Sequence, residues 1–293
     1  MIAALVVPAI GALVASLAAG PLQRRLPPRL SVTVLTIVLA TSAVAAAGAL
    51  ATLLIGTLAQ IPWVADHAGW CRRLAHDAVP PAGGLASGVG LTVMSAAAWR
   101  ARQRAKAVQR AQPDTGALTV LPIAAAVAYA VPGPRERIVV SSGMLRSLDP
   151  SERRVLLAHE RAHLRLGHHR YLRIGEIAAA AVPLLRPLLA RLRFATERWA
   201  DEEAATEIGD RRLVARAVVR AALAQGRAVS PQPALASLGV PARVEALLAG
   251  PAARPWRLEV LVVGVVGIGS AAVVSSGVQL HHLLSLAAHV CPL

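Results

Sequence analysis

Four long apolar stretches constrain the fold of this chain more than any other feature of its sequence. About 17–25 apolar residues suffice to cross a bilayer as a helix. Stretches long enough for this lie at about Ile2–Ala18, Val32–Leu58, Gly83–Trp99 and Leu258–Leu280. The sequence is 55% hydrophobic and only 16% charged, which is too apolar for an ordinary soluble domain of 293 residues. It therefore predicts an α-helical integral membrane protein with four spans.

The basic residues between the spans predict the orientation of the chain. Arg24, Arg25 and Arg29 lie between the first two spans, and the run Trp99–Arg110 follows the third span. Loops rich in Arg and Lys stay on the cytoplasmic side of a membrane. We therefore expect a multi-pass plasma-membrane protein with both termini outside and the block Arg100–Arg257 in the cytoplasm.

The formal net charge of +15 has a second explanation, which is nucleic-acid binding. The densest basic run, Trp99–Arg110, abuts an apolar segment and has no aromatic residue besides Trp99. A flank that rests on anionic lipid explains this run more economically, so no nucleic-acid partner is expected. The chain has only two cysteines, Cys71 and Cys291, which excludes a disulfide-rich scaffold and a cysteine-based zinc finger. The predicted topology puts both on the oxidising side, either as a disulfide or as two unrelated thiols.

These patterns divide the chain into three regions. Residues 1–99 are predicted to form a membrane domain with three transmembrane helices, and residues 100–257 a cytoplasmic domain. Residues 258–293 are predicted to hold the fourth transmembrane helix and a short extracytoplasmic tail.

The cytoplasmic block begins with strand-like segments and continues with a helix that has a clear start. Asp149 can cap this helix, Pro150 suits its first position, and Glu152 completes a capping-box pattern. Gly167 is a plausible end of the helix. The predicted strands that precede it are Leu118–Pro122, Ala126–Val131 and Arg137–Ser141.

This helix carries the sequence His-Glu-Arg-Ala-His. His159 and His163 are four residues apart, so both imidazoles project from one face and can bind a single Zn²⁺. Glu160 directly follows His159 and can take a proton from an attacking water without binding the metal itself. The pattern is short and occurs by chance in surface helices. The capped helix with an apolar side favours the catalytic interpretation.

A catalytic zinc site needs a third protein ligand, and the sequence offers two candidates. His169 lies ten residues after His159, but the long metzincin pattern requires glycine at the position of Leu166. Glu197 belongs to a second predicted helix on which Asp201 lies four residues later. Glu197 can bind the metal while Asp201 orients a ligand histidine. We favour Glu197, although a solvated acidic surface would give the same pattern.

The order of these segments resembles the M48 and M56 membrane metallopeptidases, relatives of the heat-shock membrane protease and of the antirepressor-type signal transducers. The resemblance covers about Leu118–Gly250. Its specific parts are Ile138–Leu145, His159–His163 and Glu197–Asp201.

The resemblance implies a mainly α (α+β) zincin-type peptidase domain with a small β-sheet and one Zn²⁺ per chain. It implies an endopeptidase that cleaves a protein or peptide substrate at the cytoplasmic membrane face. The purpose is regulatory proteolysis, with a cytoplasmic repressor as one candidate substrate, or membrane protein quality control. It also implies that the strand formed by Ala128, Tyr129, Ala130 and Val131 pairs with an extended substrate. Arg243 is expected either to stabilise the oxyanion or to have a structural role.

Other functions fit the sequence less well than a peptidase. A catalytically silent membrane scaffold or adaptor that keeps a zinc site has no need of Glu160. A transporter needs ionisable residues inside its spans, which hold essentially none beyond Glu259. The tail 281–293 is too short for an extracellular sensor domain. The broken apolar segment Ile177–Leu189 is expected to be re-entrant or interfacial.

Overall fold

The computed structural model describes most of the predicted cytoplasmic block and two of the four predicted spans. The described residues are 26–61, 63–64, 81–110, 116–133, 136–227 and 239–250, with isolated helical positions at 264 and 267. The predicted span Ile2–Ala18 lies outside them, as does Leu258–Leu280 apart from those two positions. Cys71 and Cys291 also lie outside the described residues, so their pairing stays a prediction.

Two long helices contain the second and third predicted spans. Helix α1 comprises Pro28–Leu58 and helix α2 comprises Pro81–Arg110. Both are long and apolar enough to cross a membrane, with mean hydropathies of 2.1 and 1.2. They pack against each other, and a Cβ atom at Gly84 would overlap the side chain of Thr57. Such close approach of small residues is typical of helices that associate in a bilayer.

A small mixed sheet follows, with strands β1 (Leu118–Leu121), β2 (Ala128–Val131) and β3 (Arg137–Ser141). The three predicted strands are therefore confirmed to within a few residues at their ends. The strand order is β1–β3–β2, with β1 parallel and β2 antiparallel to β3. All five residues of the central strand β3 are buried. In the described part of the chain, β2 is consequently an edge strand.

Helix α3 (Ser142–Ser147) leads from the sheet to helix α4 (Pro150–Arg165), which carries the His-Glu-Arg-Ala-His sequence. The predicted capping box is confirmed. Oδ1 of Asp149 accepts hydrogen bonds of 2.9 Å from the N–H groups of Ser151 and Glu152, and the Glu152 carboxylate accepts one of 3.1 Å from the N–H of Asp149. The predicted end of the helix is also confirmed, because Gly167 adopts φ +63°, a left-handed conformation that favours glycine.

The apolar segment Ile177–Leu189 forms the connection between two helices. Helix α5 comprises His168–Ala181, a 3₁₀ turn covers Pro183–Leu185, and helix α6 comprises Arg186–Ile208. The connection packs on the first half of α1, where its buried residues share one core. Among the described residues, only α1 and α2 are long and apolar enough to span a bilayer. The segment is thus a helical hairpin that contacts a candidate membrane helix.

Helices α7 (Arg211–Arg227) and α8 (Val240–Ala249) complete the helical domain. Together with α4 and α6 they enclose a second core, whose buried residues include Val155, Ala158 and Leu247. The described fold is mostly helical, with two candidate membrane helices and a small three-stranded sheet. This confirms the predicted fold class.

Candidate metal centre

Three predicted ligands meet between helices α4 and α6. His159 and His163 lie one turn apart on α4, with 3.1 Å between their Nε2 atoms. Glu197 reaches them from α6, with its Oε2 3.5 Å from Nε2 of His159 and its Oε1 3.6 Å from Nε2 of His163. One ligand atom from each residue lies within 4.8 Å of the others. The structure therefore brings together the residues that the sequence selected.

The spacing of these atoms matches the requirements of a tetrahedral zinc ion. Zinc bonds to nitrogen and oxygen of about 2.0–2.1 Å imply ligand atoms about 3.3 Å apart. The observed separations of 3.1, 3.5 and 3.6 Å lie close to that value. Two imidazoles and one carboxylate also form a donor set typical of catalytic zinc, which keeps a fourth position open. The residues present therefore fit zinc.

The electrostatics of the cluster indicate a place for a cation. Burial lowers the pKa of His159, but its hydrogen bonds with Asp201 and Glu197 more than offset this and raise the pKa to about 10. Burial, followed by the charge of His159, lowers the pKa of His163 to about 4. Burial acts to raise the pKa of Glu197, yet its hydrogen bond with His159 and the charge of Arg243 hold that pKa well below its usual range. The nitrogen and oxygen atoms of His159, His163 and Glu197 thus favour a positive charge between them, which a metal ion can supply.

Asp201 lies behind the first histidine and is held by an arginine. Its Oδ1 is 3.0 Å from Nδ1 of His159, and its side chain is only 2% exposed. The guanidinium of Arg243, from α8, donates two hydrogen bonds of 2.7 Å to the Asp201 carboxylate. Its Nη1 lies 3.1 Å from Oε2 of Glu197. The structure places Arg243 on the carboxylates of the cluster, and its oxyanion role stays a prediction.

The second histidine has a neighbour that the sequence analysis missed. Nδ1 of His168 lies 2.9 Å from Nδ1 of His163, and the His168 side chain is fully buried. Burial, followed by the charge of His163, lowers the pKa of His168 to about 3. The sequence feature that could have pointed to this contact is the position of His168 directly after Gly167, the glycine that ends α4. His169, the rival third ligand, lies outside the metal-binding cluster.

The comparison with known families agrees with this geometry. The model of "Peptidase family M48" matches residues 95–229, which include both histidines, Glu160, Glu197 and Asp201. No curated protein and no solved structure shows significant similarity to the chain.

The chain carries a domain of peptidase family M48.

Members of this family are zinc peptidases, and the matched region of this chain holds His159, His163 and Glu197, which form a metal-binding cluster. Arg243 lies beyond the matched residues, although it contacts two carboxylates within them.

Glu160 of the M48 domain lies between the metal-binding cluster and the sheet. Its side chain is largely buried, and burial raises the pKa of its carboxyl above the ordinary value. The positive charge of His159 and a hydrogen bond from the backbone N–H of Ala130 act in the opposite direction. An acid whose pKa is raised toward neutrality is suited to exchange protons during catalysis.

Strand β2 directs some of its backbone groups away from β3. The N–H of Ser141 donates to the carbonyl of Val127, so Val127 and Ser141 form a hydrogen-bonded antiparallel pair. Because such pairs alternate along an antiparallel ladder, Ala128 and Ala130 direct their N–H and C=O groups away from β3. The Ala130 N–H contacts Glu160, which places the outer edge of β2 beside the metal-binding cluster.

Proposed function

We propose that this M48 peptidase is a membrane-embedded zinc endopeptidase that cleaves protein or peptide substrates at the cytoplasmic membrane face. One observation carries the proposal: His159, His163 and Glu197 converge at zinc-ligand spacing, with the buried carboxyl of Glu160 beside them. One Zn²⁺ per chain fits this ligand set.

The chemistry follows from these groups. Bound zinc supplies Lewis acidity, which polarises a peptide carbonyl and makes water acidic near neutral pH. Glu160 takes a proton from the attacking water and later delivers a proton to the leaving amine. Burial of the Glu160 carboxyl raises its pKa, which favours its part in proton exchange. Asp201 and Arg243 hold the ligand His159 in place.

The substrate is proposed to bind as an additional strand along the outer edge of β2, the segment Ala128, Tyr129, Ala130 and Val131. The outward-facing N–H and C=O groups of Ala128 and the C=O group of Ala130 support this, because an added strand needs such groups for main-chain hydrogen bonds. The contact between Ala130 and Glu160 would place the added strand close to the reacting groups.

The packing of the domain on α1 supports a substrate near the membrane. Trp199, on the same helix as Glu197, belongs to a core that it shares with Val32 and Leu39 of α1. The candidate membrane helix α1 therefore packs against α6, the helix that carries the ligand Glu197. This arrangement suits regulatory proteolysis of a repressor or signalling protein, and equally the removal of faulty membrane proteins.

The proposed topology retains the division into a membrane domain at 1–99, a cytoplasmic peptidase domain at 100–257 and a fourth span with a short tail at 258–293. Cysteine labelling of intact cells tests it, in a background with both native cysteines replaced. Ile61→Cys, just after α1, should react with a membrane-impermeant maleimide, whereas Arg104→Cys in the basic part of α2 should react only after permeabilisation. Both positions are exposed, so the opposite pattern would reverse the topology.

The alternative function is a catalytically silent scaffold that keeps a zinc site. Quantitative proteomics of membranes and cytoplasm separates the two, with cells that produce wild-type protein or Glu160→Gln. A peptidase predicts intact proteins that accumulate in Glu160→Gln cells and new N-termini that disappear. Glu207→Gln is the matched control, since Glu207 forms an exposed ion pair with Arg161. Identical peptide profiles for Glu160→Gln and the control would favour the scaffold.

A further inference from the structure

The M48 domain contains a third buried histidine beside its metal-binding cluster. His168 is only 1% exposed. Its ring contacts His163 on one side and Trp199 on the other, at centroid separations of 4.8 and 5.0 Å. His168 is not one of the clustered ligand residues, and no step of the proposed chemistry uses it. A buried polar ring at this position calls for a role of its own.

The geometry fixes how His163 and His168 share a proton. Nε2 of His163 faces the Glu197 carboxylate and Nε2 of His159, so it is the nitrogen available to a metal. A neutral imidazole with a free Nε2 carries its proton on Nδ1. That N–H lies 2.9 Å from Nδ1 of His168, which must therefore accept. The proton of His168 is then on Nε2, an atom with no hydrogen-bond partner among the described residues.

We propose that His168 is a positioning residue: its Nδ1 accepts the hydrogen bond of the His163 Nδ1–H and so holds Nε2 of His163 toward the metal. The inference rests on the proposed function, because it assumes that zinc binds at the cluster. Ligand histidines almost always donate their second N–H to an acceptor that fixes the tautomer and the ring orientation.

This arrangement makes the support of the two ligand histidines unequal. Behind His159 stands the carboxylate of Asp201, whose charge is countered by Arg243. Behind His163 stands a neutral imidazole, which accepts a hydrogen bond without adding charge. The turn at Gly167 makes this possible, because α5 starts there and brings His168 back against α4.

Three variants of the full-length protein separate hydrogen bonding from packing. His168→Phe keeps an aromatic ring beside Trp199 but removes the acceptor. His168→Asn restores an acceptor oxygen near the position of the lost Nδ1. His169→Phe is the control, since His169 is adjacent in sequence but outside the metal-binding cluster. Zinc affinity is measured by competition with a chromophoric chelator, and thermal unfolding checks that each variant folds.

We expect His168→Phe to bind zinc ~10–100-fold more weakly, the usual effect of losing such a partner. His168→Asn should recover most of that affinity, and His169→Phe should match the wild type. The proposal is overturned if folded His168→Phe binds zinc like the wild type, or if folded His168→Asn binds no better than His168→Phe.

A measurement on the unaltered protein keeps the test independent of folding. In zinc-loaded protein labelled with ¹⁵N-histidine, NMR should detect a coupling across an N–H···N hydrogen bond between two imidazoles. That coupling should vanish in His168→Asn. Its absence from zinc-loaded wild-type protein contradicts the role of His168 alone. Absence of zinc binding at His159, His163 and Glu197 contradicts the proposed function instead.

Discussion

Arg243 grips Asp201 with two parallel hydrogen bonds of 2.7 Å, while Asp201 contacts the ligand His159 at 3.0 Å. The same guanidinium lies 3.1 Å from the ligand Glu197. One cation from α8 therefore contacts the buried carboxylate of Asp201 and the partly exposed carboxylate of Glu197, and so helps to orient two ligands at once. Planar, bidentate contact with a carboxylate is specific to arginine among the cationic side chains.

Replacing Arg243 with methionine should weaken zinc binding, because Asp201 and Glu197 lose the cation that holds their orientation. We expect a loss of ~10–100-fold in zinc affinity, as for other residues that orient ligands. The measurement is competition with a chelator. Arg243→Lys should recover only part of the affinity, since a lysine cannot make the bidentate contact.

Arg211→Met is the matched control for that experiment. Arg211 makes a comparable bidentate contact with Glu202 of α6, at 2.7 and 2.8 Å, and also donates to the carbonyl of Leu247 in α8. It lies outside the metal-binding cluster. Both variants should lower the thermal midpoint, but zinc affinity should fall only in Arg243→Met. Equal losses of zinc would mean that Arg243 acts through the packing of α8.

Glu160→Gln should abolish peptide cleavage while the protein retains zinc. The amide cannot take a proton from water, yet its size is almost unchanged and it can still face the N–H of Ala130. Activity on a generic peptide or casein substrate and zinc content by atomic spectroscopy are measured on the same preparation. A protein that loses both activity and zinc would show that Glu160 acts as a ligand.

The sequence predicted the ligands of the metal centre but not all of the residues that support them, and the reason is physical. The spacing of His159 and His163 follows from helix periodicity, which is a local property of the sequence. It therefore predicted that both imidazoles lie on the same face of one helix. Glu197 was favoured because four acidic residues lie within seven positions of a predicted helix, and the structure puts it beside both histidines. A local pattern thus selected a ligand from a second helix.

The supporting residues could not be predicted in the same way. The contact of His168 with His163 depends on the turn at Gly167, whose left-handed conformation sets the direction of α5. The partners of Arg243 depend on how α8 docks on α6, more than forty residues away in sequence. Tertiary packing decides both, and no periodic pattern in one segment reports it.

Glu197→Ala should lower zinc content strongly, whereas His169→Ala should leave it unchanged. Glu197 offers its two oxygens to His159 and His163 at 3.5 and 3.6 Å, and its removal leaves only two protein ligands. His169 is not among the clustered ligands. Zinc is counted after dialysis of each purified variant. The opposite result would transfer the third ligand to His169, as in the metzincin-like alternative.

The helix cap at Asp149 should make the stability of the peptidase domain depend on pH in the acid range. Its hydrogen bonds with the Ser151 hydroxyl and the Glu152 N–H lower the pKa of Asp149 below the ordinary value of 3.8. A carboxyl whose pKa is lower in the folded state stabilises the fold fully above its unfolded pKa. This contribution is lost as the pH falls through the lowered, folded-state pKa.

Asp149→Asn isolates that effect, because asparagine keeps a capping oxygen but does not ionise. In metal-free protein, the thermal midpoint of the wild type should exceed that of Asp149→Asn at pH 7, and the difference should shrink steadily below about pH 4. Asp149→Ala should be less stable than Asp149→Asn at neutral and at acid pH, since it also loses the cap. A wild-type advantage over Asp149→Asn that persists unchanged at pH 2 would show that the charge of Asp149 does not stabilise α4.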